Sequence, residues 1–516
     1  MRIGPPPPSA LHPATARASV PIVEQLQVGL AASDRVHIEA LGARLRAGEP
    51  ALSDVAIFGP TVAAGLSDAP AVAFEDHAEI PLSRIGSGTR LQYRALSLAG
   101  DGDLVLVGGR RNPEFEAYCR DALRLGAPTV LQVAPSPADK PLSLAHRCLK
   151  DQQALGPLLE LARAHGRLNL LPYLGTGSAW RLAARIAAQT GAAVNVAAAP
   201  PRLTQRVNDK LWFAAVVKAL LGTDSLPPTY HAFGPAALAA RVAALARRFE
   251  RVVIKVPDSA GSAGNLVLES QMLRPMPLRA LRLTLLRMLR GLGWRTTFPL
   301  MVGVWHCAVL ASPSAQIWVP HAEAGQPVVE GLFEQLLEGS GGEFVGAVAC
   351  TLPKAWRERM AEEAVRLATL LQALGYFGRC SFDAVIAGDD FARARLHWIE
   401  CNGRWGGTSL PMTLANRLVA DWSRRALMVL QQSTQAHEAC DVATAIRRLG
   451  PLVFRKGSTD TGVVLLTPAG IESGQGLHFL LLAADGAELA QLAAALGRLF
   501  GSVSGAVRAA AGSAAG

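Results

Sequence analysis

Between residues 101 and 200, short apolar runs alternate with stretches of helical spacing. Asp103–Gly108 predicts a buried strand, and Gly108-Gly109-Arg110-Arg111 the turn that follows it. Asn112 is placed to cap a helix whose first position is Pro113 and which runs Glu114–Leu125. Thr129–Val133, Leu168–Leu171 and Ala192–Ala197 predict strands, with helices at Pro157–His165 and Ser178–Thr190. This alternation implies a parallel sheet with helices on its faces. The Gly108–Arg111 turn is a tight strand-to-helix connection, with an anion held at a helix start as the alternative. Residues 22–100 are mixed: Ile22–Leu45 has helical spacing in places, and Glu49–Val72 holds short apolar runs broken by Pro and Gly.

Further along, Arg206–Gly222 has apolar residues at helical spacing, Asp209 as a cap and Gly222 as a stop. Leu238–Phe249 reads as a helix and Arg251–Pro257 as a strand. In that strand Val252, Ile254 and Val256 share one face, and Lys255 faces the other way with Val253. A buried lysine is costly unless paired, and a phosphate is a natural partner. Directly after it, Asp258–Asn265 is a run of small residues, including Ser259, Gly261, Ser262 and Gly264, whose backbone N–H groups can close around phosphate oxygens. A flexible linker is the other reading of this loop. Leu278–Leu292 predicts a basic helix with Arg279, Arg282, Arg287 and Arg290 on one broad face, read as solvated. Pro299–Leu310 predicts one long strand, Gln316–Pro320 another, and Lys354–Leu374 and Leu410–Leu430 helices. Strands at Val453–Arg455, Gly462–Leu466 and His478–Leu482 precede a helix at Glu488–Phe500, and Gly501–Gly516 is a Gly/Ala/Ser-rich tail expected to be disordered.

The most informative stretch is Gly378–Ser409. Two apolar runs, Cys380–Ala387 and Arg395–Cys401, flank Gly388-Asp389-Asp390 and predict a hairpin. Antiparallel partners have a constant sum of residue numbers, and a loop centred between Phe391 and Ala392 sets Asp383 opposite Glu400. Asn402 shares the face of Glu400, while Cys401 points to the other side. Two carboxylates and an amide therefore converge. Buried and unpaired, they would cost several kcal/mol or take up protons. A hard divalent cation such as Mg²⁺ removes that conflict, with phosphates and water completing its shell.

Composition limits the alternatives. The 516 residues are half apolar and 18% charged, enough for two to four compact units. Pro5–Pro8 and the absence of an apolar segment make Met1–Pro21 read as a disordered leader. No apolar run reaches the roughly 20 residues needed to span a bilayer. Seven scattered cysteines without metal-type spacing fit reduced thiols in a cytoplasmic protein. The net charge of +10 favours anionic partners, but without long Lys/Arg blocks it does not describe a dedicated nucleic-acid protein.

The strand carrying Asp383, the later Glu400-x-Asn402-x-Arg404 and the Gly406-Gly407 turn resemble the metal-binding end of the ATP-grasp superfamily. Lys210 at a helix start before Gly222 and Pro227, and Lys255 before the small-residue loop, resemble its nucleotide-binding part. The layout is most similar to pheganomycin-type peptide ligases. This resemblance implies an α/β chain in which residues 22–204 form a pre-ATP-grasp parallel-sheet domain and 205–430 a two-lobed ATP-grasp fold, with 431–500 a C-terminal α+β segment. It implies a carboxylate–amine ligase that uses ATP and Mg²⁺ on small amino-acid or peptide substrates. Neither nucleic acid nor membrane is an expected partner, and a homodimer is among the expected assemblies. Asp383, Glu400 and Asn402 would hold the metal. Lys210, Lys255 and the loop residues Ser259, Gly261, Ser262 and Gly264 would hold phosphates, and Arg404 and Lys255 would act in catalysis. Val302 and Val304 would hold adenine through their backbone, although Gly303 stands where the family has Glu. Glu330 and Glu334 are the candidates for the ribose. The rival readings are a non-catalytic ATP-binding regulator and an anion-binding module.

Overall fold

The computed structural model describes residues 29–81, 90–136, 142–259, 263–294, 298–339, 341–419, 421–501, 505–507 and 510, leaving aside the side chains of 433–435. The leader 1–21 and most of the tail 501–516 lie outside them.

The fold is α/β. Its first part is a six-stranded sheet in the order Val62–Ala64, Ala193–Val196, Arg167–Pro172, Ala71–Phe74, Leu104–Val107, Thr129–Gln132. Every neighbouring pair is parallel. Ala71–Phe74 and Leu104–Val107 are buried at every position, as strands covered on both faces must be. Helix starts are fixed by side-chain caps: Asn112 accepts from the Phe115 N–H, Asp151 from Gln153 and Ala154, and Thr176 from Ala179. The helix expected from Pro157 begins one turn earlier, at Gln152, because Asp151 caps it there. In the turn after Leu104–Val107 the N–H groups of Gly108 and Gly109 both donate to Gln92 Oε1, at 2.6 and 3.1 Å. The turn is therefore a tied connection.

Two further sheets form two lobes. The smaller is antiparallel, in the order Thr229–Ala232, Leu300–Val304, Arg251–Lys255, Asn265–Glu269. Its core takes Val252, Ile254 and Val256 from one face and packs them on Leu238, Val242, Leu281 and Leu285 of the helices Pro235–Ala246 and Leu278–Gly291. The larger, nine-stranded sheet contains Gly378–Ala387 and its partner Arg395–Asn402. One face of that hairpin buries Phe382, Trp398 and Cys401 with the helices Lys210–Leu221 and Lys354–Ala373, and Phe382 stacks on Phe213 at 5.8 Å. The opposite face looks into the cleft.

Three expectations are corrected. Pro299–Leu310 is two strands, Leu300–Val304 in the small sheet and Val309–Ala311 in the large one; the chain crosses between lobes at residues 305–308. Leu410–Leu430 is helical only over Ser409–Leu418, and Ala426–Ala436 is a strand paired with Glu343–Ala349 and Gln475–Ala483. The domain boundary drawn at 430/431 thus falls inside a strand of the large sheet. Within Arg206–Gly222 the helix runs Lys210–Leu221 between the Asp209 cap and Gly222, as expected, and Arg206–Asn208 close the preceding helix Pro201–Asn208. Val453–Arg455 is reduced to a single bridge between Val453 and Val463. No helix among the described residues is long and apolar enough to cross a membrane.

Candidate active site

The three sheets meet around a cavity of about 790 Å³. The large sheet supplies Ser314, Gln316, Ser381, Asp383, Glu400 and Asn402 to its wall; the small sheet supplies Val253, Lys255, Met301 and Gly303; the parallel-sheet domain supplies His77, Ile80 and Tyr173.

Asp383 pairs with Glu400 in register, as the residue-number sum requires, and Ser381 with Asn402. The register shifts only after Asp383, at a bulge that leaves Ile399 without an opposite number. Asn402 Nδ2 donates to Asp383 Oδ2 at 2.8 Å, and Ser314 Oγ donates to Asp383 Oδ1 at 2.6 Å. Glu400 Oε2 sits 2.9 Å from Lys210 Nζ, which also donates to the Ser259 carbonyl at 2.7 Å. Arg404 donates to Asn402 Oδ1 at 2.6 Å and to Asn208 Oδ1.

The two carboxylates are electrostatically unlike. Burial alone would raise Glu400, but the ammonium groups of Lys210 and Lys255 outweigh it and hold the carboxyl below its usual range. Burial and the nearby Glu400 push Asp383 up to about 6, against the hydrogen bonds from Ser314 and Gln335. Lys255 is brought down to about 8, chiefly by burial. A phosphate bound beside Lys255 would restore its proton. ATP added without metal at pH 8 is therefore expected to draw in about half a proton per site. Calorimetric heats measured in buffers of different ionisation enthalpy report that uptake, and buffer-independent heats would contradict it.

Not every expected residue lines the cavity. Lys210 lies behind Glu400, only 4% exposed. Ser259 donates its hydroxyl to the Val256 carbonyl at 2.9 Å, and Gly264 packs directly on it, so the described ends of the loop fold down over Lys210. Gly261 and Ser262 lie outside the described residues. Val302 is a correction: it is fully buried in the small-lobe core, mid-strand between Tyr230 and Ile254. Val304 reaches the wall, but its N–H donates to the Pro228 carbonyl at 3.2 Å. Gly303 faces the cavity, where a Cβ would meet Thr229 Oγ1 at 3.3 Å. Glu330 is another correction, since it pairs with Arg379 in the interior, and neither it nor Glu334 lines the cavity. Glu250, Glu269 and Glu343 do.

Several participants were not foreseen. Asn208 anchors the Arg404 segment by accepting from the Gly403 N–H at 3.1 Å. A Cβ at Gly403 would lie 2.3 Å from Val207 Cγ2 and 3.0 Å from Asn208 Nδ2. Gly403→Ala is thus expected to destabilise the fold by about 1–3 kcal/mol, as overpacking does, and to shift Arg404. Denaturant unfolding measures the loss; unchanged stability would contradict the close approach. In the lobe crossing, His306 Nε2 lies 3.0 Å from His397 Nδ1, and burial with His306 pushes His397 down to about 4. Only the pairing of two distant segments reveals these contacts.

The described residues contain no cluster of three or more His, Cys, Asp and Glu groups able to hold a metal. Two carboxylates and an amide suit a hard cation that is also held by phosphates, and the upward-shifted Asp383 shows the charge such an ion would relieve.

The pre ATP-grasp domain family model matches residues 92–188. No curated protein matches the chain. Among solved structures, N5-carboxyaminoimidazole ribonucleotide synthetase from Thermus thermophilus shares 16% identity with a TM-score of 0.49, covering 84% of this chain and 99% of that one. The biotin carboxylase domain of Hydrogenobacter thermophilus 2-oxoglutarate carboxylase, in complex with MgADP, ADP and bicarbonate, shares 10% identity with a TM-score of 0.49, covering 85% and 90%. Carboxyaminoimidazole ribonucleotide synthase from Aspergillus clavatus, complexed with ATP, shares 13% identity with a TM-score of 0.45, covering 84% and 99%.

Proposed function

We propose that this chain is an ATP-grasp carboxylate–amine ligase that joins an acid to an amine through an acyl phosphate and releases ADP and phosphate. One observation carries this reading. Asp383, Glu400 and Asn402 lie on one sheet face, with Arg404 in the segment directly after it, across a cleft from Lys255 on a second lobe. The family match at residues 92–188 supports it from the other domain.

Each side chain has a physical task in this reading. Asp383, Glu400 and Asn402 would hold Mg²⁺, which when bound neutralises charge between the transferring phosphates. Lys255 binds phosphate oxygens, and Lys210, tied to the Ser259 carbonyl, keeps Glu400 ionised. The substrate carboxylate attacks the terminal phosphorus, and Arg404 stabilises the charge that develops with its fixed fork of donors. The cleft keeps water from the acyl phosphate until an amine attacks its carbon.

The finer reading is a peptide ligase of the pheganomycin type, acting on amino-acid or peptide substrates in natural-product biosynthesis. A second reading, an ATP-binding regulator, is motivated by Gly303, in the strand that leads into the crossing between lobes. Transfer of ¹⁸O from a labelled amino-acid pool into released phosphate tests the choice. Label in phosphate is expected for the ligase, whereas ATP binding without label or turnover would favour the regulator.

A further inference from the structure

We propose that the outer face of the small lobe, centred on the helix Leu278–Gly291, docks on an anionic lipid surface, lying on the bilayer without crossing it. Such docking is independent of the ligase reading above.

Residues 225–304 carry eleven Lys and Arg against three Asp and Glu, a net +8 of the chain's +10. Two of the three acids, Glu250 and Glu269, line the cavity, and the third, Asp258, belongs to the segment whose described ends fold over Lys210. The helices Pro235–Ala246 and Leu278–Gly291 cover the other face of the small sheet and hold no acid at all. No Asp or Glu occurs between Glu269 and Glu323, so Arg279, Arg282, Arg287 and Arg290, all exposed, have no carboxylate partner on their own helix. Arg241, Arg247 and Arg248 add exposed charge from the neighbouring helix and the residues after it. The field of this lobe is therefore positive on its outer side.

Charge is half of the pattern. On a helix, residues four apart form a ridge. One ridge reads Arg279, Leu283, Arg287, and the next reads Leu278, Arg282, Leu286, Arg290. Leucine and arginine alternate along both. Leu278 is 54% exposed and Leu283 48%, and Met288 and Leu292 add exposed apolar surface at the C-terminal end. These leucines are not needed to hold the helix in place, because Leu281, Leu285 and Leu289 already anchor it in the lobe's core. A face made only for water has no use for them either.

The alternation selects the occupant. A nucleic-acid backbone takes arginines but offers the leucines between them no apolar surface. For a protein partner the face is small: it is about 21 Å long and about 10 Å wide, on the order of 200 Å², against about 800 Å² from each partner in a stable interface. A bilayer sets no such minimum. Its anionic headgroups take the guanidinium groups, each worth about fivefold in affinity near the surface, while the leucines enter the acyl boundary. No residue of the helix lines the cavity, which meets the opposite face of the small sheet at Val253, Lys255, Met301 and Gly303, so docking does not cover them. As a sequence this face reads as solvated, with no membrane partner expected. The fold changes that reading, because it leaves the arginines without acids and the leucines without cover.

The test is co-sedimentation of the full chain with vesicles of equal parts phosphatidylcholine and phosphatidylglycerol, and with vesicles of phosphatidylcholine alone. Wild type is expected to bind the anionic vesicles at least about a hundredfold more tightly, and to lose that binding between about 0.05 M and about 0.5 M salt. The combined variant Arg279→Gln, Arg282→Gln, Arg287→Gln and Arg290→Gln should bind them on the order of a few hundredfold more weakly. The same four positions changed to Lys should stay within about threefold of wild type, which separates charge from any loss of folding. Leu283→Gln, a surface change, should weaken binding about threefold to tenfold. Absence of binding to anionic vesicles, or binding indifferent to the four arginines or to Leu283, would overturn the proposal. A DNA duplex held more tightly than the anionic vesicles, and equally by wild type and Leu283→Gln, would overturn it in favour of a nucleic-acid face.

Discussion

Glu400→Gln is expected to lower ATP turnover about a thousandfold while leaving the chain folded. The substitution keeps size and shape but removes the charge that holds Lys210 and stands beside Lys255. Three consequences follow together. The proposed cation site loses one of two carboxylates. Asp383 loses the like charge that helps push it up to about 6 and returns toward ordinary carboxylate behaviour. Lys210, buried, keeps only the Ser259 carbonyl as a strong acceptor. Removing one partner of a fully buried pair costs about 3–5 kcal/mol; with the Glu400 side chain 24% exposed, about 2 kcal/mol is the better figure. Turnover is read as ADP release and stability by denaturant unfolding. Turnover within about tenfold of wild type would remove Glu400 from the reaction.

Arg404→Lys should lower kcat about a hundredfold with little change in the KM for ATP. Arg404 divides its donors between Asn402 Oδ1 and Asn208 Oδ1, so its position is set by two elements at once. A lysine keeps the charge but cannot make that fork. The loss should therefore appear in the step where charge develops. Steady-state kinetics separates the two constants. A raised KM with kcat unchanged would mean that Arg404 binds the nucleotide without acting in the transition state.

Where local rules suffice, the sequence could be read directly. Period-2 alternation alone places Lys255 and Val253 on the face opposite Val252, Ile254 and Val256, and these line the cleft and the core respectively. The hairpin sum pairs Asp383 with Glu400, and the bulge at Ile399 does no harm because it falls beyond that pair. Elements decided by distant partners could not be read this way. Leu300–Ala311 is apolar apart from Gly303 and His306, and its division between two sheets is what breaks it. Ala426–Ala436 becomes a strand because Glu343–Ala349 and Gln475–Ala483 flank it. Val302 was misassigned for the same reason: once Leu300–Val304 pairs on both edges, Met301 and Gly303 face the cleft and Val302 faces the core. His77 lies in a segment with no clear periodicity, and its contacts with Glu75 and Tyr173 emerge only from the folded chain.

The most direct measurement is ADP release from the full chain with Mg-ATP, supplied with pools of amino acids and short peptides as acids and amines, separately and together. The account predicts release that needs both an acid and an amine and that disappears in Glu400→Gln. Failure to bind ATP at all would contradict it, and the assignments of Asp383, Glu400, Asn402 and Arg404 with it.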